Sequence, residues 1–158
     1  MSEGANRQFF AGSSDFHERC AAPTVVTIGN FDGVHLGHQT LLNRTIELAR
    51  AQGALSVVYT FEPSPRRLLA PQLFTPRISS WDEKVQRLFE LGIDCVVIER
   101  FSKAFAQHPP QWFAQTVIAN RLSAKAVVVG YDFRFGRARA GTGELLKQML
   151  PELVVEEL

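Results

Sequence analysis

The sequence predicts an α/β fold built on a parallel sheet of about five strands, with helices covering both faces. Short apolar segments alternate along the chain with amphipathic segments, which is the order expected of repeated strand–helix–strand units. The apolar segments are continuous in valine and isoleucine, as in residues 126–129 (A-V-V-V). Continuous runs of this kind are typical of strands that are buried on both faces.

Two predicted strands joined by a helix occupy the first third of the chain. The first strand covers residues 24–29, and the amphipathic helix covers residues 37–52. Gly53 ends this helix, and residues 54–61, which are rich in valine, tyrosine and threonine, form the second strand. Residues 62–77 contain four prolines, so we expect them to form a loop.

A helix and a third strand follow this loop. Ser80 caps a predicted helix that runs to residue 91, and Glu83 stands at the position that a capping box needs. Gly92 ends the helix, and residues 94–99 form the third strand.

The last third of the chain repeats the alternation. Prolines open a predicted helix over residues 109–122, a position where the missing N–H group is tolerated. Residues 125–129 form the fourth strand, and a loop rich in glycine and arginine covers residues 130–140. A short helix over residues 143–150 precedes a fifth strand over residues 153–157.

Ligands of parallel α/β sheets bind at the carboxyl ends of the strands. The loops that follow the first, second and fourth predicted strands also have the most unusual composition. They cover residues 29–38, 61–67 and 130–139. The sequence therefore predicts a single site at this edge of the sheet.

Composition excludes several classes of protein. The chain has 158 residues, 46% of them apolar, and a net charge of +1, which suits one globular domain and indicates no general attraction to nucleic acid or to a membrane surface. No apolar run is long enough to span a bilayer, and the N-terminus lacks the apolar core of a signal peptide. Cys20 and Cys95 fit no metal or redox spacing, so we expect a cytoplasmic protein with two unpaired thiols, Cys95 being buried in a strand.

His35 and His38 flank a glycine at the predicted start of the first long helix. Three interpretations apply to this pair: zinc ligands, packing at the helix start, or contacts with a phosphate. Zinc would need a third protein ligand, and no cysteine is suitably spaced. The helix N-terminus favours an anion, and Gly33 and Gly37 allow a polyphosphate to approach the backbone.

Residues 29–38 (G-N-F-D-G-V-H-L-G-H) match neither a Walker A loop nor a dinucleotide-binding glycine motif. They contain the H-x-G-H of the nucleotidylyltransferase superfamily, whose fold is Rossmann-like, and closely resemble the bacterial FAD synthetase (FMN adenylyltransferase) module of bifunctional riboflavin kinase/FAD synthetases. Further resemblance, in the order of that family, covers residues 60–65 (T-F-E-P-S-P), 83–84 with 91–94, 101–106, and 130–136 (G-Y-D-F-R-F-G).

The resemblance implies that FMN and ATP, which carries Mg²⁺, react to give FAD and pyrophosphate. His35 and His38 would then be catalytic residues that contact the ATP phosphates. The implied ATP-binding residues are Gly29, Asn30, Phe31, Asp32, Gly33, His35 and His38. The implied FMN-binding residues are Pro63, Ser64, Pro65, Asp132 and Phe135. No metal ligand is expected among the protein side chains.

Alternatives stay open for the glycine-rich loop. Asp132 either accepts hydrogen bonds from a ligand or anchors an Asx-type turn. Phe135 either lines the flavin pocket or packs into the core, as aromatic residues that enter a loop often do. Arg134 and Arg137, with Arg139, are candidate phosphate contacts or solvated side chains.

The chain departs from the family pattern in two respects. Ser64 stands where the family usually has histidine, and no S-S-T-x-I-R segment occurs among these residues. We therefore expect an N-terminal extension over residues 1–22, with a short strand near residues 8–10, and a truncated FMN adenylyltransferase-like domain over residues 23–158, without a riboflavin kinase domain. The chain is either a fragment or a short protein.

Three functions compete on this basis. The first is FAD synthesis from FMN and ATP. The second is binding of a nucleotide or flavin without catalysis, and the third is adenylyl or cytidylyl transfer to another phosphate acceptor. All three predict small-molecule partners, with neither nucleic acid nor membrane among them.

Overall fold

The computed structural model describes residues 8–30, 36–62 and 81–158. The strands are β1 (Gln8–Phe10), β2 (Thr24–Ile28), β3 (Leu55–Glu62), β4 (Cys95–Arg100), β5 (Ala124–Val129), β6 (Arg134–Phe135), β7 (Gly141–Thr142) and β8 (Val154–Glu157). The helices are α1 (Ser13–Arg19), α2 (Leu36–Gln52), α3 (Trp81–Leu91), α4 (Lys103–Ala106), α5 (Pro110–Trp112), which continues as a π-helix (Phe113–Arg121), and α6 (Gly143–Met149). Arg137–Arg139 form a 3₁₀ turn.

Six strands form one parallel sheet in the order β1-β4-β3-β2-β5-β8, and β6 and β7 form a separate antiparallel pair. The α/β class and all five predicted strands are confirmed. The short strand predicted near residues 8–10 is confirmed as β1, and it joins the sheet as a sixth strand by pairing with β4 from Gln8 opposite Cys95 to Phe10 opposite Val97. A strand of three residues is too short to produce a clear hydrophobic pattern.

The predicted helices are present. The structure differs from the prediction in one helix and in one loop. Most of the helix predicted over residues 109–122 has π-helical hydrogen bonding, for which the sequence offers no visible cause. The loop predicted over residues 130–140 contains the short strand β6 and the 3₁₀ turn. The proline-rich loop predicted over residues 62–77 lies, apart from Glu62, outside the described residues.

Helices cover both faces of the sheet, as the continuous valine runs predict. On one face, Leu42 and Ile46 of α2 and Leu88 of α3 pack against Val58 and Val96. The opposite face carries α1, the π-helix and α6, and its buried residues include Phe10, Phe16, Val26, Val57, Val97, Phe113, Val117, Ile118, Val127 and Leu146. Successive residues of each strand therefore enter two different cores.

A buried polar contact attaches the N-terminal segment to the sheet. The Ser13 backbone N–H donates to Glu99 Oε1 over 2.5 Å, and the Ser13 hydroxyl donates to Glu99 Oε2 over 3.3 Å. Arg121 Nη1 donates to the same Ser13 hydroxyl over 3.2 Å. These contacts connect α1 and the π-helix to β4, so residues from β1 onward are held against the sheet.

None of the helices described here is long and apolar enough to cross a membrane. Neither cysteine forms a disulfide, and Cys20 is partly exposed whereas Cys95 is buried in β4, as predicted. Burial raises the pKa of the Cys95 thiol to about 12.

The difference in thiol burial predicts selective labelling by a thiol reagent at pH 8. Because a thiol with a pKa of about 12 is ionised to only about one part in ten thousand at that pH, Cys95 should react only after unfolding. Native protein should therefore release one equivalent of product, and denatured protein two. Cys20→Ser should abolish the fast reaction, whereas Cys95→Ser should leave it unchanged. A fast reaction in native Cys20→Ser protein would contradict this assignment.

Candidate functional site

The predicted site lies at an edge that the sheet order defines. β2 is central, with β3 on one side and β5 on the other, and all three strands are parallel. Their carboxyl ends therefore lie side by side at the edge where α/β proteins bind ligands. β2, β3 and β5 therefore all end at the edge where the sequence predicts a site.

Gly29 and Asn30 continue from β2 at this edge. The Gly29 N–H donates to the Tyr59 carbonyl over 3.2 Å, which extends the pairing of β2 with β3 by one residue. The Asn30 side-chain oxygen Oδ1 is buried and accepts no hydrogen bond within the described part of the chain. A buried amide oxygen without a donor is unusual, which makes this position a candidate for a polar contact with a ligand.

His38 lies in the first turn of α2, which begins at the same edge because the helix connects the parallel strands β2 and β3. The side chain of His38 is half-buried. No acidic residue occupies the first turn of α2, so no side chain there neutralises the positive end of the helix dipole. The edge beside β2 therefore favours an anion.

The other predicted residues of these two loops are Phe31, Asp32, Gly33, His35, Pro63, Ser64 and Pro65. All of them lie outside the described residues, so their roles stay predictions.

Two buried hydroxyls near this edge were not singled out from the sequence. Thr27 of β2 and Thr60 of β3 are fully buried, and neither Oγ1 atom has a hydrogen-bond partner among residues 8–30, 36–62 and 81–158. Their shared sequence signal is a threonine within an otherwise apolar strand, and Thr60 also begins the family-like segment 60–65. Threonine is common in strands, so this signal does not distinguish a site from a scaffold.

Asp132 and its neighbours form a tight turn beyond β5. The Phe133 N–H donates to the Gly130 carbonyl over 3.1 Å, and the Tyr131 N–H donates to the Leu158 carbonyl over 2.9 Å. Asp132 is exposed, and its Oδ1 lies 3.3 Å from the place that a Cβ atom on Gly130 would occupy. The carboxylate thus folds over the turn while it stays accessible to solvent.

Phe135 is 7% exposed and belongs to the core of the α1 face. Its ring lies 5.4 Å from the ring of Phe113 and 5.5 Å from that of Phe133, measured between centroids. Phe135 therefore packs into the core, which is one of the two roles that the sequence predicts for it. Its predicted contact with FMN stays a prediction.

A group of partly buried aromatic side chains lies at and beyond the carboxyl ends of β3 and β4, on the same face as Phe135. Phe61, Phe101 and Phe105 contact one another with ring centroids between 5.4 and 6.0 Å apart. His108 stacks on Trp112 with centroids 3.6 Å apart. Sequence reasoning missed His108 and Trp112, because their stacking depends on the turn that precedes α5.

The exposed arginines Arg134, Arg137 and Arg139 lie on a constrained loop. The Arg137 N–H donates to the His108 carbonyl over 2.9 Å. Ala138 and Arg139 have positive φ angles of 58° and 55°, which residues with a Cβ atom rarely adopt. The loop that carries the three exposed arginines is therefore attached to the turn before α5.

The described residues contain no group of three or more histidine, cysteine, aspartate or glutamate residues that could hold a metal ion. Burial raises the pKa of the Tyr59 hydroxyl well above its usual value, and the nearby Glu99 carboxylate acts in the same direction, so this phenol stays neutral.

Known proteins resemble the chain over most of its length. The family model described as FAD synthetase matches residues 17–156. The bifunctional riboflavin kinase/FMN adenylyltransferase of Buchnera aphidicola is 36% identical over 126 residues, which cover 80% of this chain and 40% of that protein. The protein of the same name from Escherichia coli K12 is 40% identical over 124 residues, which cover 78% of this chain and 40% of the relative. The chain thus spans about 40% of the length of these curated relatives.

A solved structure also resembles the fold. The crystal structure described as a macrolide-efflux protein from Streptococcus pneumoniae superposes with a TM-score of 0.79 at 30% sequence identity. The match covers 96% of this chain and 50% of the other.

The packing of the arginine-bearing loop against Pro110 can be tested by substitution of a glycine. Gly136 has a φ of +80°, and an added Cβ would lie 2.9 Å from Pro110 Cα. Gly53 has a φ of +63° with nothing within 4 Å, so it provides a matched control. Gly53→Ala should cost about 1 kcal/mol of unfolding free energy from backbone strain alone. Gly136→Ala should cost about 2–4 kcal/mol, because the clash with Pro110 adds to the strain. Equal losses in urea titrations would contradict the proposed contact.

Proposed function

The chain belongs to the FAD synthetase family, and from this membership we propose that it transfers the adenylyl group of ATP to the phosphate of FMN. The observation that carries the proposal is the family match over residues 17–156. The geometry of the sheet edge supports the proposal. The side of the edge beside α2 favours an anion, and the opposite face of the same edge carries a group of aromatic side chains.

In the proposed reaction, a phosphate oxygen of FMN attacks the α-phosphorus of ATP. A new P–O bond joins the two phosphates as FAD, and the bond between the α-phosphorus and the bridging oxygen breaks. Pyrophosphate leaves with that electron pair. Mg²⁺ enters with ATP as part of the substrate and neutralises part of the phosphate charge. The protein therefore needs to position two anions and stabilise the charge of the transition state, which are the main requirements of phosphoryl-type transfer.

We assign the ATP side to the end of β2 and the start of α2. Asn30 has a buried oxygen without a described donor, and His38 lies in a first turn without acidic residues. Both features suit a nucleotide whose phosphates lie against a helix N-terminus. We propose that His38, with His35, donates hydrogen bonds to phosphate oxygens as they gain charge.

We assign the FMN side to the opposite face of the same edge. The half-buried rings of Phe61 and Phe105 offer an apolar surface suited to a flat ring system, and Phe135 supports the loop from the core. Pro63, Ser64, Pro65 and Asp132 are proposed to complete this half. Arg134 and Arg137 are exposed and are proposed to contact phosphate.

We further propose that the protein works in the cytoplasm, where ATP is available and where its two cysteines, which form no disulfide, stay reduced.

The direct test mixes the chain with FMN, ATP and Mg²⁺ and follows FAD by chromatography. We expect FAD and pyrophosphate in equal amounts, and no product without either substrate. If the chain binds ATP or FMN in calorimetry but forms no FAD, it is a binding module and the enzymatic proposal is wrong.

Histidine variants test the assigned roles. His35→Ala should lower kcat by about 10²–10³, because it removes a donor that acts mainly in the transition state, and the Kd for FMN should change little. His17 is exposed on α1, which lies beside the outer strand β1, and it has no assigned role, so His17→Ala is the matched control and should retain full activity. Comparable losses in turnover and FMN binding in His35→Ala would instead assign His35 a structural role.

A further inference from the structure

Ser13 of α1 joins a buried anion to a cation from another element. Its backbone N–H and its hydroxyl donate to the Glu99 carboxylate of β4, and Arg121 at the end of the π-helix donates to the same hydroxyl. Ser13 is fully buried and Glu99 is 8% exposed. Apolar side chains would attach α1 to the sheet with less desolvation, so these three residues, here called the polar bridge, need an explanation beyond stability.

The anionic end of the polar bridge adjoins Phe61, one of the two rings assigned to the FMN side. Glu99 pairs in register with Phe61 in the parallel strands β4 and β3, whose backbones lie about 4.8 Å apart. Both side chains point to the α1 face, because Phe61 packs on that core and Glu99 follows Cys95 and Val97 of the same core at alternate positions. The Glu99 carboxylate therefore limits the space available to the Phe61 ring.

The cationic end of the polar bridge reaches Trp112 of α5. Arg121 Cζ lies 5.6 Å from the centroid of the Trp112 ring, within the range of a cation–π contact. The Trp112 ring is nearly perpendicular to that of Phe105, with centroids 5.6 Å apart. Phe105 is the second ring assigned to the FMN side. The guanidinium group therefore influences the position of Phe105 through one intervening ring.

These contacts close into a circuit, because Phe105 contacts Phe61 with centroids 6.0 Å apart. The circuit starts at Phe61, follows the polar bridge to Trp112 and returns through Phe105. Its members come from β3, β4, α1, the π-helix, α5 and α4. Each member of a circuit is held from two sides, so a shift at Ser13 changes the spacing of the two rings on the FMN side.

The π-helix has a direct consequence for this circuit. Its nine residues follow Trp112 and end at Arg121. Because its hydrogen bonds span five residues, it makes about two turns over this length, whereas an α-helix would make about two and a half. Two turns bring Arg121 back to the side of the helix on which Trp112 lies, and a further half turn would place it on the opposite side. The rare helix type therefore permits the contact between Arg121 and Trp112, and such segments often occur at functional sites.

We propose that Arg121 and Ser13 are positioning residues for FMN, because the polar bridge holds Trp112, and through it Phe105, at the distance from Phe61 that the flat ring system of FMN requires. This inference deepens the FMN side of the proposed function and rests on it. The competing explanation is that the polar bridge only attaches the N-terminal segment to the sheet.

Calorimetric titration with FMN tests the assignment. Arg121→Met removes the charge near Trp112 and the hydrogen bond to Ser13, so the Kd for FMN should rise about 5- to 20-fold. The Kd for α,β-methylene-ATP with Mg²⁺, an analogue that cannot transfer its adenylyl group, should stay within about two-fold. Arg121→Lys keeps a cation and a donor and should restore most of the FMN affinity. In FAD synthesis, Arg121→Met should raise the KM for FMN and leave kcat nearly unchanged, as expected for loss of uniform binding.

Arg19→Met is the matched control on the same N-terminal segment. Arg19 pairs with Asp15 of α1 over 2.8 Å, and its Cζ lies 4.4 Å from the centroid of the Phe10 ring in β1. These contacts hold the segment and involve neither Trp112 nor the polar bridge. Arg19→Met should lower the melting temperature and leave the Kd for FMN unchanged. If Arg121→Met does the same, the polar bridge is only structural and the proposal is wrong.

Ser13→Ala keeps the proposal testable if Arg121→Met does not fold. It removes only the hydroxyl, because the backbone N–H at this position can still donate to Glu99. The Kd for FMN should rise about 3- to 10-fold, as expected for loss of one buried hydrogen-bonded hydroxyl. An unchanged Kd in this variant, with FMN bound by the original chain, overturns the positioning role alone. An original chain that binds no FMN overturns the proposed function and this inference with it.

Discussion

The parallel pairing of β2 with both β3 and β5 is the constraint on which the rest of the structure depends. Parallel strands require crossover connections, and the crossovers place α2 and the π-helix on the faces of the sheet. The same pairing brings three carboxyl ends to one edge. Loops that are far apart in sequence are therefore neighbours there, and α2 directs its N-terminus at the point where β2 ends.

Side-chain alternation along these strands then separates the chemistry of the two faces. Thr27 and Thr60 point to the face covered by α2 and α3, where polar atoms lack described partners. Phe61, one residue after Thr60, points to the opposite face and joins the aromatic group. A one-residue shift in register would exchange these two environments. In the proposed reaction, this arrangement lets nucleotide and flavin approach from different sides of one edge.

The sequence predicted those features that depend on local patterns. Continuous valine runs identified β2 to β5, and glycines identified the ends of α2 and α3. The pairing of β1 was harder to predict, because three residues carry little pattern and the partner β4 is distant in sequence. The contact between Gly136 and Pro110 and the stacking of His108 on Trp112 likewise depend on packing between separate elements.

The candidate site illustrates the same limit of prediction from sequence. It also shows how the fold tolerates unsatisfied polar groups at the sheet edge. A threonine in a valine-rich strand looks ordinary until the packing of α2 and α3 shows that its hydroxyl is buried. Each such unsatisfied group costs about 1–3 kcal/mol. The sheet bears that cost because the layers behind the edge are apolar and fully buried, with Val26, Val57, Val97 and Val127 on one face and Val25, Val58 and Val96 on the other. Strand pairing and packing therefore hold the edge in place while these polar groups stay without a described partner, and a rigid edge of this kind is what the proposed preorganised site requires.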